Sequence, residues 1–232
     1  MITEKLISYS QLPEGSEIAG QVTNIKDLIA YVARVSNPAG QINGENNDKL
    51  VKYLFNNKHF SPFEMVSVCI EVNPTRAIGR QLLRHRSFSF QEFSQRYADA
   101  SSLGFTLSEA RMQDTKNRQN SIALMTDEEK KLEIEWRKRQ RYLLDQTKED
   151  YQWALDSGIA KEQARNILPE GNTDSRLYVN GTLRSWYHYC QLRCANGTQK
   201  EHMEMARGCA REIETIYPGF YDLTVDVDIT EA

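Results

Sequence analysis

The clearest sign of regular structure in the chain is a strict alternation of β-branched residues. Four of them lie two positions apart, namely Val66, Val68, Ile70 and Val72. Residues at this spacing project from one face of an extended chain, so the pattern predicts a strand with one buried face. Asn73-Pro74 ends the strand, and Pro74 suits the start of a helix, which we predict as far as about residue 84.

Apolar residues at intervals of three and four predict helices elsewhere. One such pattern covers residues 25–36, and a second, highly charged one runs from 127 to about 157. Thr126 and Glu129 form a capping box before the long helix, and Gly158 follows its end. We expect the buried stripe of this helix to consist of Leu132, Trp136, Leu143 and Ala154.

Weaker patterns complete the outline. Further helices are predicted over 47–57, 160–168, 182–193 and 198–216, and further strands over 1–10, 93–97 and 175–180. The stretches 37–48 and 98–125 are predicted to be irregular. The chain has no internal repeat and no Ser-, Gly- or Pro-rich linker. We therefore predict a single α+β domain over residues 1–232, with a central antiparallel or mixed sheet flanked by helices.

Composition narrows the classes of function. The net charge is −3, and no apolar run approaches the roughly 20 residues that span a bilayer. We expect an intracellular, cytoplasmic protein that binds neither membranes nor nucleic acid. Between residues 76 and 97, however, five arginines face one acid, Glu92, which favours a small anionic ligand. The four cysteines have no Cys-x-x-Cys or zinc spacing, so we expect inert thiols and no metal site.

The densest chemistry lies in residues 84–97, which read RHRSFSFQEFSQRY. Arginine presents a planar fork of donors that suits phosphate, and the neighbouring aromatic rings supply flat apolar surface. Together they suit a planar anion such as a nucleotide. Because the chain has no Gly-rich phosphate loop, arginine side chains would have to hold the phosphate.

This stretch also resembles the signature of the flavin-dependent thymidylate synthases. Arg84-His85-Arg86 is followed after seven residues by Ser94, and then by Arg96-Tyr97. Other blocks resemble the same family in the same order: Ala-Arg-Val-Ser at 33–36, His-Phe-Ser-Pro-Phe-Glu at 59–64, Gln81, Ala-Arg-Asn-Ile-Leu-Pro at 164–169, and Leu183-Arg184-x-Trp186-x-His188 ending at Arg193.

The resemblance implies an enzyme that makes dTMP from dUMP. Methylenetetrahydrofolate would supply the carbon, reduced FAD the hydride, and NADPH the electrons that reduce the flavin. The family forms homotetramers whose active sites are shared between subunits, so the chain's partners would include copies of itself. No residue resembles the cysteine nucleophile of the classical thymidylate synthases, and we interpret Ser94 as a ligand of the nucleotide.

Site residues follow from the same resemblance. The dUMP ligands would be Gln81, Arg84, Glu92, Phe93, Ser94, Gln95, Arg96, Arg165 and Arg193. The FAD ligands would be His59, Ser61, Arg84, His85, Arg86, Glu92, Thr182, Arg184 and His188. Arg193 would be catalytic, because a persistent cation beside the pyrimidine stabilises negative charge on the ring. Arg184 and His188 lie four residues apart and would share a helix face.

Two other functions remain open on the residues alone. One is a different reaction of a flavin- or nucleotide-dependent enzyme, and the other is an RNA-binding module that uses the basic, aromatic segment. Outside the family blocks we expect ordinary roles. Arg76 and Arg80 are interpreted as surface charges, and His202 as a helix-surface residue.

Overall fold

The centre of the molecule is a four-stranded antiparallel sheet. Of the two predicted sheet types, antiparallel and mixed, the antiparallel one is therefore confirmed. The computed structural model describes residues 2–225; Met1 and residues 226–232, which belong to the predicted single domain, lie outside that range. The strands are β1 (Glu4–Tyr9), β2 (Ser67–Val72), β3 (Ser89–Glu92) and β6 (Leu177–Thr182), in the spatial order β1-β2-β6-β3. Two shorter strands, β4 (Arg111–Gln113) and β5 (Ser121–Ala123), pair separately as a hairpin.

Strand β2 lies in the middle of the core. Its alternating residues Val68, Ile70 and Val72 are fully buried, as is Val66 just before it, so the predicted buried face is confirmed. The intervening side chains, from Ser67 to Glu71, are more exposed. One face of the sheet therefore carries the core, and the other carries polar residues.

The helices between residues 2 and 225 are α1 (Ile25–Ala33), α2 (Pro38–Asn43), α3 (Asn47–Asn56), α4 (Arg76–Leu82), α5 (Asp127–Asp156), α6 (Lys161–Ala164), α7 (Leu183–Cys194), α8 (Lys200–Glu214) and α9 (Phe220–Thr224). Helix α7 packs on β6 of the sheet, whereas α5 packs on α6 in a separate cluster. Helices α7 and α8 pack on each other, and α8 also packs on β1 and β2. The indole Nε1 of Trp186 donates to the carbonyl oxygen of Val68 at 3.0 Å, which fixes α7 to β2.

Several predicted boundaries are wrong. The strand predicted at 93–97 lies earlier, at β3, because residues 89–92 pair with β6. Residues 94–98 instead turn, with the amides of Tyr97 and Ala98 donating to the carbonyl of Ser94. The stretch 37–48 contains α2, which the Asn37 side chain caps at its start. The stretch 98–125 contains the β4–β5 hairpin, whose three-residue strands are too short to show alternation.

The long helix α5 forms as predicted, but its buried stripe is different. The capping box of Thr126 and Glu129 is present. Leu132, Trp136 and Leu143, however, are 49%, 43% and 51% exposed. Of the predicted stripe only Ala154 is buried, together with Gln140, Leu144, Thr147 and Tyr151. The helix is amphipathic, but much of its large apolar surface faces away from its own chain. Between residues 2 and 225, no helix has both the length and the apolar character of a membrane span.

Gly181 shows how closely the sheet packs beside the signature segment. A Cβ at this position would lie 2.3 Å from the ring of Phe88. That ring is buried against Trp186, with 4.6 Å between the ring centroids. The absence of a side chain at Gly181 is what lets Phe88 reach the core.

We predict that Gly181→Ala lowers the free energy of unfolding by about 1–3 kcal/mol, because the Phe88 ring must move out of a packed core. Urea or thermal unfolding measures the effect. Gly171→Ala is the matched control, since a Cβ there meets no atom within 4 Å. The control should stay within about 0.5 kcal/mol of the unaltered protein. Equal stability of both variants would contradict the packing argument.

Candidate active site

The end of α7 meets the start of the signature segment. Arg193, in the last turn of α7, donates from Nε to Nε2 of His85 at 2.9 Å. His85 lies three residues after the end of α4, and its backbone amide donates to the carbonyl oxygen of Leu82. A contact across more than 100 residues of chain therefore joins the predicted catalytic arginine to the Arg-His-Arg motif. Because Nε2 accepts, the neutral ring carries its proton on Nδ1.

Aromatic rings line the surface beneath this contact. Tyr189 is buried, and its ring meets His85 edge-on at 5.0 Å and His202 at 5.8 Å. Burial raises the pKa of Tyr189 far above its usual range, so the phenol stays neutral. Burial lowers the pKa of Arg193, but a guanidinium remains charged at any working pH. The result is a cation next to a cluster of uncharged aromatic rings.

Gln81 joins the same region from α4. Its Oε1 lies 3.1 Å from Nδ1 of His202, and its Nε2 donates to Gln199 at 2.7 Å. His202 is fully buried, so the prediction of a helix-surface residue is wrong. It points into the core from the same side of α8 as Met205, Ala206 and Cys209. Gln199, one residue before α8, is a contact that sequence reasoning missed.

Glu92 ends β3 and is held by two donors. Its Oε1 accepts from Nη1 of Arg76 at 3.2 Å and from Oγ of Ser175 at 3.0 Å. Arg76 is only 8% exposed, so its interpretation as a surface charge is wrong; burying a guanidinium requires such a partner. Arg80 is half-exposed and pairs with Glu170, as expected of a surface residue.

The later part of the signature forms a second group around Glu162. Arg96 donates from Nε to the Glu162 carboxylate at 3.1 Å, and Arg165 donates from Nε to the Glu162 carbonyl at 3.3 Å. Ser94 accepts from the backbone amide of Arg96 at 3.4 Å. Phe93 donates its amide to Arg176, and the Gln95 side chain is buried. These contacts differ from those that hold Gln81 and Arg193.

A third group surrounds a pocket between the loop before β2 and the start of α7. The pocket has a volume of about 510 Å³ and is lined by Ala33, Leu54, Lys58, His59, Phe60, Ser61, Pro62 and Arg184. Arg184 is hydrogen-bonded to Glu64. One turn further along α7, His188 packs against Phe60 at 5.1 Å between ring centroids, which confirms that Arg184 and His188 share a face.

The remaining predicted residues lie at the edges of these groups. Arg84 and Arg86 are exposed. Thr182 caps α7, its hydroxyl accepting from the amide of Ser185 at 3.3 Å.

A larger cleft, of about 640 Å³, lies between the β4–β5 hairpin, α5 and the start of α8. Gln199 lines this cleft, but none of the predicted site residues does.

Comparison with known proteins places the whole chain among its relatives. A family model described as thymidylate synthase complementing protein matches residues 18–219. A probable flavin-dependent thymidylate synthase of Paramecium bursaria Chlorella virus 1 is 44% identical over 208 residues, covering 90% of this chain and 92% of the relative. A flavin-dependent thymidylate synthase of Synechocystis is 47% identical over 189 residues, covering 82% of this chain and 84% of the relative.

Among solved structures, a UMP/dUMP methylase from Streptomyces cacaoi bound with 5-Br UMP is 26% identical, with a TM-score of 0.73. The match covers 96% of this chain and 93% of that one. The α+β fold is thus similar to that of a nucleotide-modifying enzyme. The chain belongs to the flavin-dependent thymidylate synthase family, which confirms the resemblance of its signature.

The half-buried His85 predicts a pH dependence of stability. Burial, followed by the nearby charges of Arg193 and Arg84, lowers its pKa from 6.5 to about 4. An unfolded chain protonates the ring near pH 6.5, so between 6.5 and about 4 the unfolded state binds more protons. The stability contributed by the neutral ring is therefore complete above pH 6.5 and is lost as the pH falls through this window.

We predict that the melting temperature of the unaltered protein falls more between pH 6.5 and 4 than that of His85→Gln. The glutamine oxygen can take the position of Nε2 and accept from Arg193 without titrating. Differential scanning fluorimetry of both proteins across this range measures the difference. Parallel curves would show that His85 is not held neutral in the folded state.

Proposed function

We propose that this protein is a flavin-dependent thymidylate synthase that converts dUMP to dTMP. The observation that carries the proposal is the hydrogen bond of 2.9 Å that brings Arg193 to the Arg84-His85-Arg86 motif. It joins two family blocks that lie far apart along the chain. The chain's relatives at 44% and 47% identity bear the same family name, which supports the assignment.

The proposed reaction is a reductive methylation. The one-carbon unit of methylenetetrahydrofolate passes to carbon 5 of the uracil ring, which loses a proton. Two electrons from NADPH reduce the transferred carbon to a methyl group, and the products are dTMP, tetrahydrofolate and NADP⁺. FAD, when bound, supplies the hydride. The chain's own residues bind the partners, orient them and stabilise charge.

The residues around the 510 Å³ pocket fit FAD. Lys58, His59 and Arg184 line it and supply cations or donors for a pyrophosphate. Phe60 and His188 offer flat rings beside it. We assign Ser61, also in the lining, to the same cofactor. Four residues of the signature and the residue before α7 complete the proposed FAD set, namely Arg84, His85, Arg86, Glu92 and Thr182.

The donors around Arg193 fit a uracil ring. Arg193 uses Nε for His85, so this contact leaves its terminal Nη groups as donors for a ligand. We assign them to the ring, where they stabilise the negative charge that develops as the new carbon–carbon bond forms. Gln81 and Arg84 would bind on this side of the nucleotide. We assign Arg96 and Arg165 to the phosphate of dUMP. The other proposed dUMP ligands, which would contact the nucleotide between its ring and its phosphate, are Glu92, Phe93, Ser94 and Gln95.

The catalytic assignment predicts that Arg193→Ala retains FAD but forms dTMP at least about 100-fold more slowly, because the charge on the ring loses its stabilising cation. Flavin absorbance reports cofactor content, and dTMP formation from dUMP, methylenetetrahydrofolate and NADPH reports turnover. Arg193→Lys keeps the charge without the planar fork and should give an intermediate rate. Unchanged turnover in Arg193→Ala would remove this residue from the mechanism, and no dTMP from the unaltered protein would refute the function.

The two groups of proposed dUMP ligands point to a shared site. One chain holds Arg193 and Gln81 through His85, His202 and Gln199, whereas Arg96 and Arg165 meet at Glu162. We propose that a second copy of the chain brings one group to face the other. The exposed apolar side chains of α5, Leu132, Trp136, Leu143 and Trp153, support assembly. The proposed assembly is a homotetramer of the 26.8 kDa chain.

A shared site predicts complementation between two inactive variants. Arg193→Ala and Arg165→Ala, co-expressed with different tags and purified through both tags, should recover activity that neither has alone. In randomly mixed assemblies about a quarter of the sites would draw both groups intact, one from each variant. Recovery near that fraction of the unaltered rate is the expected result. Mixed assemblies as inactive as the separate variants would show that each chain completes its own site.

A further inference from the structure

The side-chain amide of Gln81 is held on both sides by residues of α8 and the turn before it. Its Oε1 faces Nδ1 of His202 at 3.1 Å, and its Nε2 donates to Oε1 of Gln199 at 2.7 Å. Gln199 in turn donates from Nε2 to Glu201 at 3.0 Å. The chain of contacts therefore continues from the half-buried Gln81 to a carboxylate at the start of α8.

An ion pair at one end of this series of contacts sets the direction of each hydrogen bond in the series. The Glu201 carboxylate pairs with Arg111 of β4 at 2.7 Å. Although burial opposes it, the hydrogen bond from Arg111 lowers the pKa of Glu201, so the group accepts and does not donate. Gln199 must therefore turn its NH₂ towards Glu201 and its oxygen towards Gln81. Gln81 must then turn its NH₂ towards Gln199 and its oxygen towards His202.

The same logic determines the tautomer of His202. An amide oxygen only accepts, so Nδ1 of His202 must carry a proton and donate it. The ring is fully buried, and burial, followed by the charge of Arg193, lowers its pKa to about 3. His202 is thus neutral, with Nε2 bare. Among the described residues Nε2 has no hydrogen-bond partner.

We propose that His202 is a positioning residue for the nucleotide site: its Nδ1–H fixes the Gln81 amide, so that Gln81 offers its second N–H to an oxygen of the bound uracil nucleotide. One N–H of Gln81 is used by Gln199, and the other remains for the ligand. This N–H of Gln81 and the Nη groups of Arg193 would both present hydrogen-bond donors to the base. The carbonyl oxygens of uracil accept from donors, whereas the 4-amino group of cytosine does not. This inference rests on the proposed function, because it takes Gln81 as a dUMP ligand.

Binding of dUMP to the FAD-bound protein tests the proposal. His202→Leu removes the donor, so the Gln81 amide can rotate, and we expect dUMP to bind about five- to tenfold more weakly. His202→Asn places an amide nitrogen near the position of Nδ1 and should bind dUMP within about twofold of the unaltered protein. Both should keep their FAD. His202→Leu breaks only the hydrogen bond from Nδ1 to Gln81, because Nε2 has no partner among the described residues, so its melting temperature should fall by a few degrees at most. His202→Asn keeps a donor near Nδ1 and should change the melting temperature less.

Two further variants separate the possible failures. Met205→Leu changes another fully buried residue of α8 and should bind dUMP normally. Gln81→Ala tests the assumption beneath the inference. If Gln81→Ala weakens dUMP binding and His202→Leu does not, the positioning role of His202 is wrong while the proposed function stands. If neither variant affects binding, Gln81 is not a dUMP ligand, and that part of the proposed function fails.

A measurement without dUMP covers the case in which His202→Leu does not fold. Solid-state ¹⁵N spectra of histidine-labelled protein distinguish Nδ1–H from Nε2–H rings. Of the four histidines, we expect His85 and His202 to be neutral with the proton on Nδ1 at pH 7. The His202→Asn spectrum identifies the His202 signal by its loss. A protonated Nε2 on His202 would overturn the inference whatever the protein binds.

Discussion

The pairing of β2 with β6 is the constraint on which the rest of the site depends. Ser67 faces Thr182 in this register, and the amide of Leu183 donates to the carbonyl of Val66. Helix α7 therefore begins beside the segment that precedes β2. This places Arg184 next to His59 and Ser61, and it sends Arg193 along α7 towards His85. A one-residue slip would turn the buried face of β2 outwards and separate these groups, so the buried face fixes the geometry of the site.

Part of this arrangement follows from the residues alone. The alternation from Val66 to Val72 predicts β2, and the capping box predicts the start of α5, because both signals are local. The stripe of Leu132, Trp136 and Leu143 is a real helical pattern, but periodicity does not say which surface covers it. The buried position of His202 was available from the sequence, since Met205, Ala206 and Cys209 follow at helical spacing.

The contacts between distant segments could not be derived in this way. The separation of Arg193 and His85 along the chain exceeds 100 residues, and no local pattern encodes their approach. Family resemblance supplied the proposed roles of both, while the hydrogen bond between them comes from the fold. The same holds for Arg76, whose burial depends on ion pairs with Glu92 and Glu170. Local signals thus predict elements, and only packing decides which charges become buried partners.

The partners of the arginines differ in a way that matters for chemistry. Arg76 faces Glu92, Arg96 faces Glu162 and Arg184 faces Glu64, so a carboxylate offsets each of these charges. Arg193 instead donates to His85, which burial and the neighbouring cations keep neutral. A neutral acceptor orients the guanidinium without cancelling its charge. A preorganised cation stabilises developing negative charge most when no counter-ion neutralises that cation. The neutral imidazole of His85 therefore holds Arg193 in place and leaves its positive charge to act on the nucleotide.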